Sequence, residues 1–451
     1  MSKHNTYINY FKALILSLSM LVLCNCKSSD DDSNNTPQHT FLGEIDQINT
    51  IGGSKNDKAF AVAKTQDGGY VVLGYTQSID GDIVDKPTTD FDYWVVKYDA
   101  ENNLVWSRTF GGSLDDRGSD IIETTDGGFA IIGYSSSNDQ DVSINNGLQD
   151  YWIAKLDANG ILVWEKSFGY VGGDKGNTLI QTNDGGFLIL GTLDVTASGG
   201  DGNTKAKHAG GDYWAIKLDA SGNKQWSKYY GGSNTETPYD VIETQDNHFV
   251  IIGSSDSEDV DITNSKGSYD FWVIKISSTG TLIWEKSFGG DEIDTGRGIV
   301  EANDGNYILV GDTRSIDQDV SQNSGAADLW FVKIAPSGEI LNEKTFGGSS
   351  FDVARSINKT QDNGFIISGS SRSADGDLSS NQGQNDAWLL KLDANANITW
   401  QKTIGGLNLD YAYDAIELEN KNIVAVGESE SSNGDIPENK GFTDALVIKI
   451  K

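Results

Sequence analysis

Short runs of apolar residues recur along this chain, separated by turns rich in Gly, Asp and Asn. The second repeat shows the grammar. Ser119 to Thr125 reads as a strand (a), Asp126-Gly127-Gly128 as a tight turn, and Phe129 to Tyr134 as an almost wholly apolar strand (b). A long polar loop follows. Asp150 to Asp157 is then strand c, Ala158-Asn159-Gly160 a turn, and Ile161 to Phe168 strand d. Helical periodicity is absent. A strand apolar on both faces must be covered on both sides, as when sheets stack like blades.

The signature opening strand c sets the period. Asp92-Tyr93-Trp94, Asp150-Tyr151-Trp152, Asp212-Tyr213-Trp214, Asp270-Phe271-Trp272, Asp328-Leu329-Trp330 and Asp386-Ala387-Trp388 are six copies, and Asp444-Ala445-Leu446 is a degenerate seventh. Successive spacings are 58, 62, 58, 58, 58 and 58 residues, the mark of a repeat architecture. Strand c occurs seven times but is followed by a strand d only six times, while Glu44 to Ile51 stands as an orphan strand d at the N-terminal end. Joining the orphan to the last strand c gives 28 strands with no open sheet edge. The predicted fold is all-β: a seven-bladed β-propeller over residues 41–451, with four antiparallel strands per blade and the last blade closed by the N-terminal strand.

The repeat motif appears as Phe110-Gly111-Gly112-Ser113, Thr125-Asp126-Gly127-Gly128-Phe129 and Asp150-Tyr151-Trp152-Ile153-Ala154-Lys155-Leu156-Asp157. In these residues the chain resembles the β-propeller repeats of Bacteroidetes-type bacterial surface lipoproteins, over residues 44–451. The resemblance implies the fold. It carries no agreed activity and so supplies no catalytic residues.

All eleven tryptophans sit at repeat positions, six in strand c and five in strand d, which suits an inter-blade core and leaves none for a separate sugar-stacking platform. Each strand b carries one glycine (Gly74, Gly133, Gly191, Gly253, Gly311, Gly369, Gly427), as at a bulge or a close backbone approach. A lysine recurs in strand c (Lys97, Lys155, Lys217, Lys275, Lys333, Lys391, Lys449) and needs a carboxylate partner or an exit to water.

Acids recur as well. Four residues after each Gly-Gly stands Asp57, Asp116, Asn177, Glu236, Asp294, Asp352 or Asp410. The b-to-c loops carry Asp80/Asp82, Asp139/Asp141, Asp259/Asp261, Asp317/Asp319 and Asp375/Asp377, with Asn433/Asp435 as a variant. Propeller connectivity puts both acidic loops on one face and the tight turns on the other. Calcium is the candidate ion, with Asp82, Asp141, Asp261, Asp319, Asp377 and Asp435 as candidate ligands; the other reading is Asx-turns that order each loop. The third repeat reads as inserting Tyr170-Val171 before Gly172-Gly173, and its long b-to-c loop holds Lys205, Lys207 and His208, a candidate ligand edge.

Residues 1–25 read as a lipoprotein signal peptide and 26–40 as a polar tether. The apolar run from Ala13 to Leu23 is too short for a membrane span and ends in Leu23-Cys24-Asn25-Cys26, the only two cysteines. Cys26 is the expected lipid anchor, with Cys24 as the alternative. Lys27-Ser-Ser-Asp-Asp-Asp32 resembles the export tag of surface lipoproteins. The expected location is the outer membrane, surface-exposed or periplasm-facing. A net charge of −32, or −34 after cleavage before Cys26, disfavours nucleic acid. With four histidines and no cysteine past residue 26, triad or zinc chemistry has little to draw on. The expected function is a non-catalytic binding or scaffold module for a protein or glycan partner. A polysaccharide-active or glycan-binding protein and a calcium-ordered structural surface protein are the alternatives.

Overall fold

The structure, a computed structural model, describes residues 40–198 and 208–451. Among them are 28 strands in seven four-stranded antiparallel sheets, each ordered a-b-c-d. In the first blade these are Asp57–Lys64, Tyr70–Thr76, Asp92–Tyr98 and Leu104–Phe110. The last sheet combines Asp410–Glu417, Ile423–Ser429 and Asp444–Ile450 with Ile45–Ile51 as its outer strand. No strand of the seventh blade is left without its sheet partner, so the ring closes as the strand count predicts.

The closing strand is fastened beyond its ladder. The Leu42 and Glu44 amides donate to the Lys451 carbonyl at 3.0 and 3.3 Å, and the Lys451 amide donates to Glu44 at 2.9 Å. Elsewhere the strand-d tryptophans reach the c-to-d turn of the next blade: Trp106, Trp226 and Trp284 donate Nε1–H to the carbonyls of Ala158 (3.3 Å), Ser278 (3.0 Å) and Pro336 (3.2 Å). At the closure Gly43 takes the place of that turn. Trp400 donates to its carbonyl at 3.0 Å and meets Phe41 edge-on at 5.4 Å.

The core lies between blades. Ile132, Tyr151 and Ile153 of blade 2 pack with Leu179, Phe187, Ile189 and Trp214 of blade 3, and the other junctions repeat this. Tyr93 meets Trp152 edge-on at 4.8 Å and donates its hydroxyl to the Trp152 carbonyl at 3.0 Å. Full burial of each such side chain contributes about 1.5–3 kcal/mol. The strand-c lysines pair with the aspartate of the a-to-b turn: Lys97 with Asp67 at 2.7 Å, Lys155 with Asp126 at 3.0 Å, Lys217 with Asp184 at 2.9 Å.

Strand a begins earlier than its apolar residues suggest. In blade 2 it spans Asp116–Glu123 and not 119–125, because Asp116, Arg117 and Gly118 already pair with strand b before a bulge at Ser119. The bulge explains the strand-b glycine: a Cβ on Gly133 would lie 2.0 Å from the Arg117 carbonyl oxygen, and one on Gly74 would lie 1.7 Å from that of Lys58. The third repeat also needs correction. Its turn has no insertion. Asp174, 58 residues beyond Asp116, is the buried acid and accepts the Tyr170 amide at 2.7 Å. The Gly172-Gly173 pair is out of register with the true turn glycine, Gly169, so Asn177 falls on the bulge and not in the acid ring. All four extra residues lie in the b-to-c loop, between Gly191 and Trp214.

Candidate functional site: the channel mouth

The b-to-c acids act on backbone. Asp82, Asp141, Asp261, Asp319, Asp377 and Asp435 each accept, through Oδ2, the amide of the first turn glycine: Gly52 (2.9 Å), Gly111 (3.3 Å), Gly231 (3.3 Å), Gly289 (3.4 Å), Gly347 (3.0 Å) and Gly405 (3.4 Å). Their mates Asp80, Asp139, Asp259, Asp317, Asp375 and Asn433 accept the amide two residues further on, at 2.7 to 3.0 Å. Each pair therefore ties the b-to-c loop to the d-to-a loop. The six aspartates stand in six different blades, one each, and the third blade has none. Among the described residues no group of three or more His, Cys, Asp or Glu side chains is placed to hold a metal ion.

Beneath these loops lies a double layer of buried acids. Asp116 is typical of the strand-a member: it accepts the Gly112 amide at 2.7 Å and the Ser137 hydroxyl at 2.8 Å. The facing strand-c aspartate takes a loop amide, as Asp150 does from Asn146 at 2.8 Å. Blade 1 substitutes the Lys86 ammonium on Asp92 at 2.7 Å, and blade 3 substitutes the His208 ring on Asp212. Thus His208 is buried, with its ring edge-on to Tyr229 at 5.0 Å, and anchors the long loop from below. Lys205, Lys207, Cys24 and Cys26 lie outside the described residues. Burial lifts Asp92, Glu236 and Asp270 to about 7 and Asp174, Asp328, Asp386 and Asp444 to about 6, with a facing acid contributing in most cases.

Strand a is innermost in every blade, and the seven together line a central channel of about 640 Å³. Each carries one bulge, at equivalent places: Ala59/Ala61, Gly118/Asp120, Gly176/Thr178, Pro238/Asp240, Gly296/Gly298, Ala354/Ser356 and Ala412/Asp414. The extra residues are Phe60, Ser119, Asn177, Tyr239, Arg297, Arg355 and Tyr413. All seven line one chamber of about 310 Å³. It lies toward the loop face, because the bulge follows closely on the start of strand a. Bulges re-aim side chains, and here they aim seven, of five different types, into one space.

One residue deeper, Asp120, Asp240 and Asp414 stitch neighbouring blades. They accept the amides of Leu179 (3.0 Å), Ile299 (2.8 Å) and Val62 (3.0 Å) from the next inner strand. Burial, with mutual repulsion adding, pushes Asp240 up to about 8 and Asp120 to about 6. At the mouth itself the Arg297 guanidinium lies 4.0 Å over the Tyr239 ring. Phe60 stacks on Tyr413 at 4.8 Å, and the Tyr413 hydroxyl donates to Glu428. Asp312 is the carboxylate whose charge faces Arg297, Arg355 and Arg314; burial raises it and the three arginines hold that rise back. This set of groups can bind a polar ligand by charge, stacking and hydrogen bonds.

The bulge ring was missed in the sequence because no apolar period marks it. Its signal was the one column of strand a that differs in nearly every copy, read together with the strand-b glycine that accommodates the bulge.

No protein-family model matches the chain, and no curated protein is similar to it. Solved structures with a similar backbone include a protein of unknown function from Bacteroides caccae (11% identity, 69% of this chain and 89% of that chain, TM-score 0.41). Others are the Pan2 WD40 domain of Neurospora crassa (10%, 91% and 97%, TM-score 0.47) and a gluconolactonase of Xanthomonas campestris (9%, 92% and 94%, TM-score 0.37). At about one residue in ten identical, none transfers an activity to this chain.

Proposed function

We propose that this chain is a lipid-anchored, surface-exposed outer-membrane protein whose propeller is a non-catalytic binding module. The observation that carries the binding reading is a contrast. Seven nearly repeated blades form a closed, heavily bonded ring, and one column of seven residues of five different types is gathered at a single channel mouth. Rigid scaffolds concentrate recognition at such positions. The anchoring reading is supported by the apolar run ending at Cys26 and the polar stretch after it.

Two measurements test it. In cells fed an alkyne fatty acid, Cys26→Ala is expected to abolish labelling and Cys24→Ala to leave it. Labelling retained in both variants would sink the anchor. Crosslinking of the full-length protein on intact cells should then give a discrete partner adduct. A lipidated, protease-accessible protein that gives none would refute a macromolecular partner.

A further inference from the structure

We propose that the channel mouth is a pocket for a small ligand carrying an oxyanion head, a carboxylate or a phosphate, on a ring-shaped body. The inference rests on the binding role of the mouth and specifies its ligand.

The head group follows from two arginines. Arg297 and Arg355 stand at equivalent bulges of adjacent blades, and each leaves Nε without a hydrogen-bond partner. Neither forms an ion pair among the described residues. Both side chains line the same chamber of about 310 Å³. Six of the seven recurrent strand-c lysines, by contrast, pair with an a-to-b turn aspartate, as Lys391 does with Asp362 at 2.9 Å. Two like charges held together, partly out of water, destabilise the fold unless an anion joins them. The repulsion is visible at Arg355, whose pKa is lowered first by burial and then by Arg297. One carboxylate, Asp312, answers the two guanidiniums from beyond ion-pair distance.

The body follows from the aromatics. Tyr239 holds one face of the Arg297 guanidinium, so its N–H edge stays open for a bidentate oxyanion. The Phe60–Tyr413 stack supplies an apolar wall for a ring. A chamber of about 310 Å³ stands at the small end of ligand pockets. The acidic loops around it repel polyanions and admit a ligand with one charged head.

The test is calorimetric titration of the purified chain with glucuronate, benzoate and inorganic phosphate. At least one ring carboxylate is expected to bind at or below about 10 mM, and phosphate binding alongside it would extend the head group to phosphate esters. Arg297→Gln and Arg355→Gln should each weaken binding by about tenfold. Asp312→Asn, which frees both guanidiniums from their competitor, should tighten it by about threefold or more. A purely structural role for these side chains would not give that gain, and the Asp312 variant keeps the test open if an arginine variant fails to fold. The proposal is overturned if neither ring carboxylate binds, if the arginine variants bind as wild type, or if Asp312→Asn weakens binding. A failed titration with the surface adduct intact removes this ligand alone. A missing adduct with a positive titration removes the macromolecular partner and keeps the pocket.

Discussion

Fourteen carboxylates sit at the blade junctions with at most 6% of their surface exposed, two per blade. Asp150, Asp270, Asp328, Asp386 and Asp444 each leave Oδ1 without a hydrogen-bond partner. Raised pKa values mean that the folded chain holds protons that the unfolded chain has already released. Between the ordinary value of 3.8 and the folded values of about 6 to 7, stability therefore falls as pH rises. The turn aspartates work in the opposite sense. Asp126 and Asp246, held near 2 by hydroxyl and lysine partners against their partial burial, contribute stability above 3.8 that is lost as pH falls toward 2. The melting temperature is accordingly expected to be highest near about pH 4–5, to drop toward pH 8 and to drop again below about pH 3. A melting temperature that climbs steadily from pH 5 to pH 8 in a calorimeter would contradict these protonation states.

At the scale of the element, the bulge in strand a and the glycine in strand b form one device. Gly133→Ala places a methyl group 2.0 Å from the Arg117 carbonyl oxygen and 2.6 Å from the Tyr93 hydroxyl, so backbone must move. Overpacking of this kind costs about 1–3 kcal/mol, read as a lower urea midpoint at unchanged slope. A midpoint equal to wild type would mean that the bulge is not rigid. The same device explains what the sequence could and could not reveal. Strands b and c announce themselves by apolar runs, and the recurrent Gly74 and Gly133 pointed to a bulge. Strand a begins with polar residues such as Asp116 and Arg117, which read as loop, so its bulged position and the mouth it forms were not visible from periodicity. In blade 3 the Gly172-Gly173 pair imitated the turn and displaced the register, which hid Asp174 and misplaced Asn177. The Asp-x-Asp loops were found, with both a cation and Asx-type ordering open to them. Their carboxylates lie on the amides of glycines such as Gly52 and Gly347, a long-range pairing that composition does not encode.

For the whole molecule, closure decides whether the mouth exists as one site. Arg297, Arg355 and Tyr413 belong to three different blades, and Phe60 faces Tyr413 across the junction between the first and the last. That junction is adjacent to the blade completed by Ile45–Ile51. Removing residues 41–53 exposes the edge of strand Asp444–Ile450, frees Trp400 from Gly43 and Phe41, and lets the ring open. The most direct measurement is a thermal melt of the chain lacking 41–53, alone and with a synthetic peptide of those residues added back. The expected result is a large loss of melting temperature for the entire domain, although one strand of 28 is gone, and recovery when the peptide is supplied. A truncated chain that melts with wild-type midpoint and cooperativity, indifferent to the peptide, would contradict a ring closed by its N-terminal strand.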